Sequence, residues 1–267
     1  MKTYKAAPDT HVITSNLPLP GLGCVPINAF VIDGAEPVLV DTGAVVQSEA
    51  FLKVLRSVID PSALAWIWLT HTDADHVGSL HQLLAENPRL RVATTFLGVG
   101  IMGLFAPLPM DRVYLVNPGE TLKLRDRTLT AYRPPVFDNP STTGLFDDKS
   151  RILFSSDCFG AALADPPERA ADLTEKELHD GQVLWATIDA PWLHKADRGA
   201  LATELEMVRR MEPAMILSSH LPAVGPTVID RVLGAVADAP GAHPFVGPNQ
   251  VALEQMLQQM AAGPAAP

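Results

Sequence analysis

The chain of 267 residues holds only two cysteines, Cys24 and Cys158, far apart and in no CxxC arrangement. That excludes a disulfide framework and a cysteine-based zinc knuckle, and it is compatible with a reducing cytoplasm, where the chain is expected to reside. Positive charge is also scarce. Twenty Lys and Arg against thirty Asp and Glu leave a net charge of -10, which argues against a nucleic-acid partner, since that needs a basic face. The opening MKTYKAAPDTHVITS has two lysines but no apolar core, so it is not a signal peptide. No repeat, low-complexity block or linker divides the chain. The one long uncharged stretch, Val92 to Met110, contains Gly98, Gly100, Gly103, Pro107 and Pro109. These favour a buried strand, helix and turn over a membrane span, with an apolar lid or a dimer contact as the functional alternative. No membrane partner is expected, and a homo-oligomer is compatible with the sequence.

What is present suffices for a full core: hydrophobic residues make up 47%. Short strands read at Ile27–Ile32, Pro37–Val40, Trp66–Leu69, Arg91–Thr94, Val113–Val116, Thr121–Leu124, Thr128–Tyr132, Thr143–Phe146, Arg151–Ser155 and Ala214–Leu217. Helical spacing reads at Val46–Ile59, from Val77 to Leu84, between Leu173 and Met211, and at Val228–Val236 and Val251–Met260. Strands in runs with helices outside them imply an α/β fold of two packed sheets with helical cover, a four-layer αββα sandwich. Residues 1–267 are expected to form a single domain, with a tail that frays from about 262.

Four apolar, β-rich runs end directly in His or Asp. They are Leu69-Thr70-His71, the Pro134–Asp138 run, Leu153-Phe154-Ser155-Ser156-Asp157 and Leu217-Ser218-Ser219-His220. The first opens the densest cluster, His71-Thr72-Asp73-Ala74-Asp75-His76. Strand ends of an α/β fold converge on one edge, where sites are built. Such groups are costly to desolvate without a partner, and metal ions supply one for neutral imidazole and ionised carboxylate. In a tight loop His71 and Asp73 can face one metal while Asp75 and His76 face another, with Asp157 bridging. A solvated loop, with Asp75 as an N-cap ahead of Val77, is the plain alternative. Asp41, in Asp41-Thr42-Gly43, is expected to orient ligands rather than bind. Cys158 reads as a small buried thiol. His11, His81, His179, His194 and His243 read as surface or packing residues, with a pocket-lining role as the alternative for His194 if the helices between Leu173 and Asp197 fold over the site, and Trp185 and Trp192 are candidates for pocket walls.

The cluster, the FSSDCFG around Asp157, the SSHLP around His220 and the early Asp41-Thr42-Gly43 resemble the metallo-β-lactamase superfamily in order and over most of the chain. H-x-D-x-D-H is similar to the H-x-E-x-D-H of the flavo-diiron and oxygen-binding di-iron branch. LFDDKSRILFSSDCFG is similar to the hairpin before that branch's bridging Asp. Two departures stand out. Asp73 is shorter than the branch's Glu. The loop PPVFDNPSTT also lacks the family's histidine, leaving Asp138 as the substitute by type and position, ahead of Asn139; an Asx turn is the alternative role for Asp138.

The resemblance implies a first metal on His71, Asp73, Asp138 and Asp157, and a second on Asp75, His76, Asp157 and His220. Oxygen-rich coordination favours Fe, with Mn or Zn as alternatives. No flavin is expected in this chain, and no flavodoxin-like region or rubredoxin cysteine set is visible, so redox turnover calls for an external electron donor. Three readings stay open. The first is a non-haem di-iron oxidoreductase that binds or reduces O2 or a similar small oxidant. The second is a metal-dependent hydrolase of a small-molecule ester, thioester, lactone or phosphoester, with Asp75 as the catalytic group that orients water or shuttles a proton. The third is a metal-stabilised sensor or binding protein without turnover.

Overall fold

Successive side chains of a strand point to opposite faces, and in this chain they feed different cores. A computed structural model describes residues 1–262. Seven strands form one sheet in chain order: β1 (Lys2–Ala7), β2 (Thr10–Leu19), β3 (Gly23–Ile32), β4 (Val38–Val40), β5 (Trp66–Trp68), β6 (Arg91–Thr94) and β7 (Val113–Leu115). β1 to β4 pair antiparallel and β4 to β7 parallel. The second sheet holds β8 (Thr121–Lys123), β9 (Thr128–Tyr132), β10 (Gly144–Asp147), β11 (Ile152–Phe154) and β12 (Met215–Leu217) in the order β12-β11-β10-β9-β8. Only β11 and β12 run parallel there. The α-helices are α1 (Ser48–Val58), α2 (Leu80–Glu86), α3 (Phe96–Phe105), α4 (Glu175–Asp189), α5 (Arg198–Arg210), α6 (Ile229–Asp238) and α7 (Gln250–Ala262).

Val38, Val40, Trp66 and Trp68 face inward and meet Leu129, Leu145, Ile152 and Phe154 of the second sheet. The alternate residues Leu39 and Ile67 face outward beneath Phe51, Leu55, Leu80 and Leu83 of α1 and α2. On the far side, Leu153 and Ile216 pack with Leu178, Leu201, Leu205 and Val232 of α4, α5 and α6. The layers therefore run helix, sheet, sheet, helix, as the pattern of strands and helices predicts.

The predicted elements recur with shifts of a few residues at their ends, except at two places. The β1–β2 hairpin went unread, although Thr10-His11-Val12-Ile13-Thr14-Ser15 is rich in β-branched residues; ten-residue pairing with β3 decides its conformation. Between residues 92 and 110 the strand is buried as expected but the helix is not. On α3 only Gly98 and Met102 are buried, while Phe96, Leu97, Leu104 and Phe105 are exposed. No helix among the described residues is long and apolar enough to cross a membrane. The tail expected to fray from about 262 lies outside the described residues.

Candidate metal centre

The cluster after β5 is held by the loop after β4. Thr42 N donates to His76 O, Val45 N to Ala74 O and Gly78 N to Gly43 O, at 2.7, 2.9 and 2.8 Å. A Cβ at Gly78 would lie 2.4 Å from the backbone of Ala44, so no side chain fits where the two loops meet. Helix α2 begins only at Leu80, after Ser79. Asp75 therefore does not cap it, and its carboxylate faces His76 and His220 at 3.6 and 3.4 Å. The other strand ends close on the same place. Ser155 N donates to Leu217 O and Ser219 N to Ser156 O, tying the loops after β11 and β12 together. Asp41 and Ser156 hold left-handed backbone, with φ of 58° and 55°, the kind of local strain that concentrates at functional sites.

Each histidine of the cluster has its Nδ1 engaged by the protein. His76 Nδ1 bonds Asp41 Oδ2 at 2.8 Å, and His220 Nδ1 donates to the Pro26 carbonyl at 2.8 Å. The Thr70 hydroxyl donates to Asp41 and receives His71 Nδ1 at 3.2 Å. That leaves the three Nε2 atoms directed at carboxylates, the arrangement by which outer partners orient metal-binding imidazoles.

Asp157 stands between the two halves of the site. Its Oδ2 lies 3.4 Å from His71 Nε2, while its Oδ1 lies 3.1 Å from His76 Nε2 and 3.2 Å from His220 Nε2. His71 Nε2, His76 Nε2 and Asp157 Oδ1 are buried without a hydrogen-bond partner. Such atoms are costly, and a cation seated among them satisfies all three. Donor atoms close to within 4.8 Å of one another in four overlapping sets: His71, His76 and Asp157; Asp75, His76 and His220; His71, Asp73 and Asp138; and Asp138, Asp157 and Asp189. The residues present thus fit one or two metal ions.

All seven residues expected at the site converge there. Asn139 is not in any of the sets; its Nδ2 donates to Asp73 Oδ1 at 2.8 Å and holds that short side chain toward the site. Asp41 accepts from Thr70 and His76 and supports rather than joins the donors, as expected. The Trp185 ring lies 4.8 Å from that of His220, forming a wall. Trp192 Nε1 donates to Phe137 O and braces the loop carrying Asp138. His11, His81, His179, His194 and His243 enter none of the sets. Asp189, the last residue of α4, was not anticipated from sequence.

The electrostatics describe a site crowded with negative charge. Burial opposes ionisation of Asp157, but His71, His220 and His76 outweigh it and hold the carboxyl well below the usual carboxylate range. Burial also opposes protonation of His71 and His76. At His71 it prevails, helped by the neighbouring His76; at His76 the carboxylates of Asp157, Asp75 and Asp41 overcome it. His220, whose burial is outweighed by Asp157 and Asp75, is pushed up to about 9. Burial, reinforced by neighbouring carboxylates, raises Asp138 to about 7 and Asp189 to about 8. Asp138 nevertheless keeps a face to solvent.

Comparison with known proteins agrees with this geometry. The rubredoxin-oxygen oxidoreductase of Megalodesulfovibrio gigas is 29% identical over 145 residues, covering 54% of this chain and 36% of the relative. The anaerobic nitric oxide reductase flavorubredoxin of Pectobacterium atrosepticum is 24% identical over 208 residues, covering 73% and 41%. Among solved structures, the flavodiiron protein from Giardia intestinalis superposes with a TM-score of 0.78 at 17% identity, covering 90% of this chain and 59% of that one. The rubredoxin oxygen:oxidoreductase from Desulfovibrio gigas superposes with a TM-score of 0.76 at 21% identity, covering 91% and 63%. These likenesses establish a shared metallo-β-lactamase-type fold. The chain spans less than half the length of either curated relative. A family model, ODP family beta lactamase, matches residues 25–220, and the chain belongs to that family.

Proposed function

We propose that the chain is a single metallo-β-lactamase-like domain that holds two metal ions, iron ahead of manganese or zinc, and binds or reduces O2 or a similar small oxidant such as nitric oxide. The observation that carries this reading is the division of Asp157, one oxygen toward His71 and the other toward His76 and His220. A carboxylate so divided suits a bridge between two ions. The names of two relatives, a rubredoxin-oxygen oxidoreductase and an anaerobic nitric oxide reductase flavorubredoxin, support the choice of oxidant.

In this reading His71, Asp73, Asp138 and Asp157 serve the first ion, and Asp75, His76, Asp157 and His220 the second. Redox-active ions held by these residues would supply a place for a small diatomic ligand and electrons toward its reduction. The protein's part is to hold the donors and shape the cavity. Asp41 and the Pro26 carbonyl fix the imidazoles of His76 and His220, Asn139 fixes Asp73, and Trp185 covers the His220 side. Electrons come from a donor outside these 267 residues. The carboxylate-rich donor set favours iron or manganese over zinc, which competes best at nitrogen and sulfur.

Anaerobic reconstitution with Fe(II), followed by admission of air, tests the reading. O2 consumption with new visible absorption is expected. Silence on both counts from protein shown to carry iron, together with ester or phosphoester hydrolysis by the zinc-loaded form, would move the protein to the hydrolases.

A further inference from the structure

We propose that Asp189 is a ligand of the first ion, completing with Asp138 a carboxylate-rich position where the loop offers no histidine. This assignment rests on the two-ion reading above and deepens it.

Asp189 occupies a poor place for a carboxylate. It is the last residue of α4, where the helix presents its partial negative charge, and the last turn contains no basic residue. Its Oδ2 is buried and has no hydrogen-bond partner. His220 and His76 offset the cost of its charge only in part; a cation would supply the rest.

The neighbours supply the rest of a coordination sphere. Asp189, Asp138 and Asp157 bring carboxylate oxygens within 4.8 Å of one another, and Asp138 also closes with His71 and Asp73 to the same limit. Donors opposite each other on an ion with bonds of about 2.1 Å lie roughly 4.2 Å apart, so the three carboxylates of Asp138, Asp157 and Asp189 close on one ion with shifts of a few tenths of an ångström. One neighbour independently calls for a cation there: His71 Nε2, on a fully buried residue and facing Asp157 Oδ2 at 3.4 Å, has no hydrogen-bond partner. The two acidic segments are also clamped together. Just after α4, Trp192 Nε1 donates to Phe137 O at 2.9 Å, next to Asp138, and the Trp192 ring packs on Phe137.

The two positions then differ in kind. The first has one imidazole and up to four carboxylates, a hard donor set that favours Mn(II) or Fe(II) over Zn(II). The second, with His76 and His220, is richer in nitrogen.

Mn(II) loading of the full metal-free chain under argon tests the assignment. Metal per chain is counted after desalting, and electron paramagnetic resonance distinguishes coupled from isolated ions. The wild type is expected to hold two Mn with a coupled spectrum. Asp189→Ala and Asp189→Asn are expected to hold one, with the six-line spectrum of an isolated ion, or to bind the weaker ion at least tenfold less tightly by calorimetry. Melting of the metal-free variants at or above the wild-type temperature shows that the loss is not a folding defect. Two coupled ions in Asp189→Ala at wild-type affinity overturn the assignment and leave the two-ion reading standing. A wild type that takes fewer than two ions overturns both.

Discussion

His76 and Asp41 are joined by a 2.8 Å hydrogen bond between two side chains that are each at least 99% buried. The bond sets which imidazole nitrogen is free. With Nδ1 on Asp41, His76 can only turn Nε2 toward Asp75 and Asp157. Asp41→Asn keeps the shape but weakens the charge that orients the ring. Affinity for the second ion is expected to fall about 10–100-fold, measured by competition with a chelator, with the first ion little affected. Equal loss at both positions would show that Asp41 supports the whole loop rather than one ligand.

Asn139 acts on the other half of the site through its 2.8 Å bond to Asp73. Asn139→Ala releases a half-exposed aspartate from the amide that anchors its Oδ1. First-ion affinity is expected to drop about tenfold, in keeping with the worth of a hydrogen bond to a charged group, and the second ion to remain. An unchanged first-ion affinity in calorimetry contradicts this role.

The crowding of carboxylates gives the metal-free protein a pH signature. Burial, then Asp157 and Asp138, raises the Asp189 carboxyl to about 8 in the folded state, against about 3.9 in an unfolded chain. Between these values the folded state binds a proton that the unfolded state does not, so stability falls as pH rises through the window. Asp189→Asn is free of this loss. The melting temperature of the metal-free variant, minus that of the wild type, is expected to climb between about pH 5 and about pH 8.5. A difference that stays flat across the range would falsify the burial of an incompletely compensated charge at Asp189.

Gly160 marks a tight place behind His220. A Cβ there would lie 2.4 Å from Trp185 Nε1 and 2.8 Å from His220 Cβ. Gly160→Ala forces one of the two to move, and overpacking of this kind costs about 1–3 kcal/mol. A lower melting temperature is expected together with weaker retention of the second ion. Loss of stability with full retention means that Trp185 gives way and His220 does not.

The parts of the site that were legible in the sequence share a local sign. His71, Asp157 and His220 each follow an apolar strand within a few residues, and Asp73, Asp75 and His76 lie in the same short loop as His71. The four layers were legible for the same reason, since alternation in Trp66-Ile67-Trp68 and Ile152-Leu153-Phe154 is written in the chain. What was not legible depends on contacts between distant segments. Asp189 ends a helix, and only the approach of α4 to the loops carrying Asp138 and Asp157 gives it a role. The bond from Asn139 to Asp73 joins residues 66 positions apart. The β1–β2 hairpin depends on β3, which it pairs. On α3, composition pointed to burial, but no core closes over Leu104 and Phe105.

The central claim, a two-ion centre that prefers iron, is tested most directly by counting metals per chain in untagged protein purified without chelator or added metal, by inductively coupled plasma mass spectrometry. The account predicts close to two iron per chain. One ion per chain, or zinc retained in place of iron after loading with an excess of Fe(II), contradicts it.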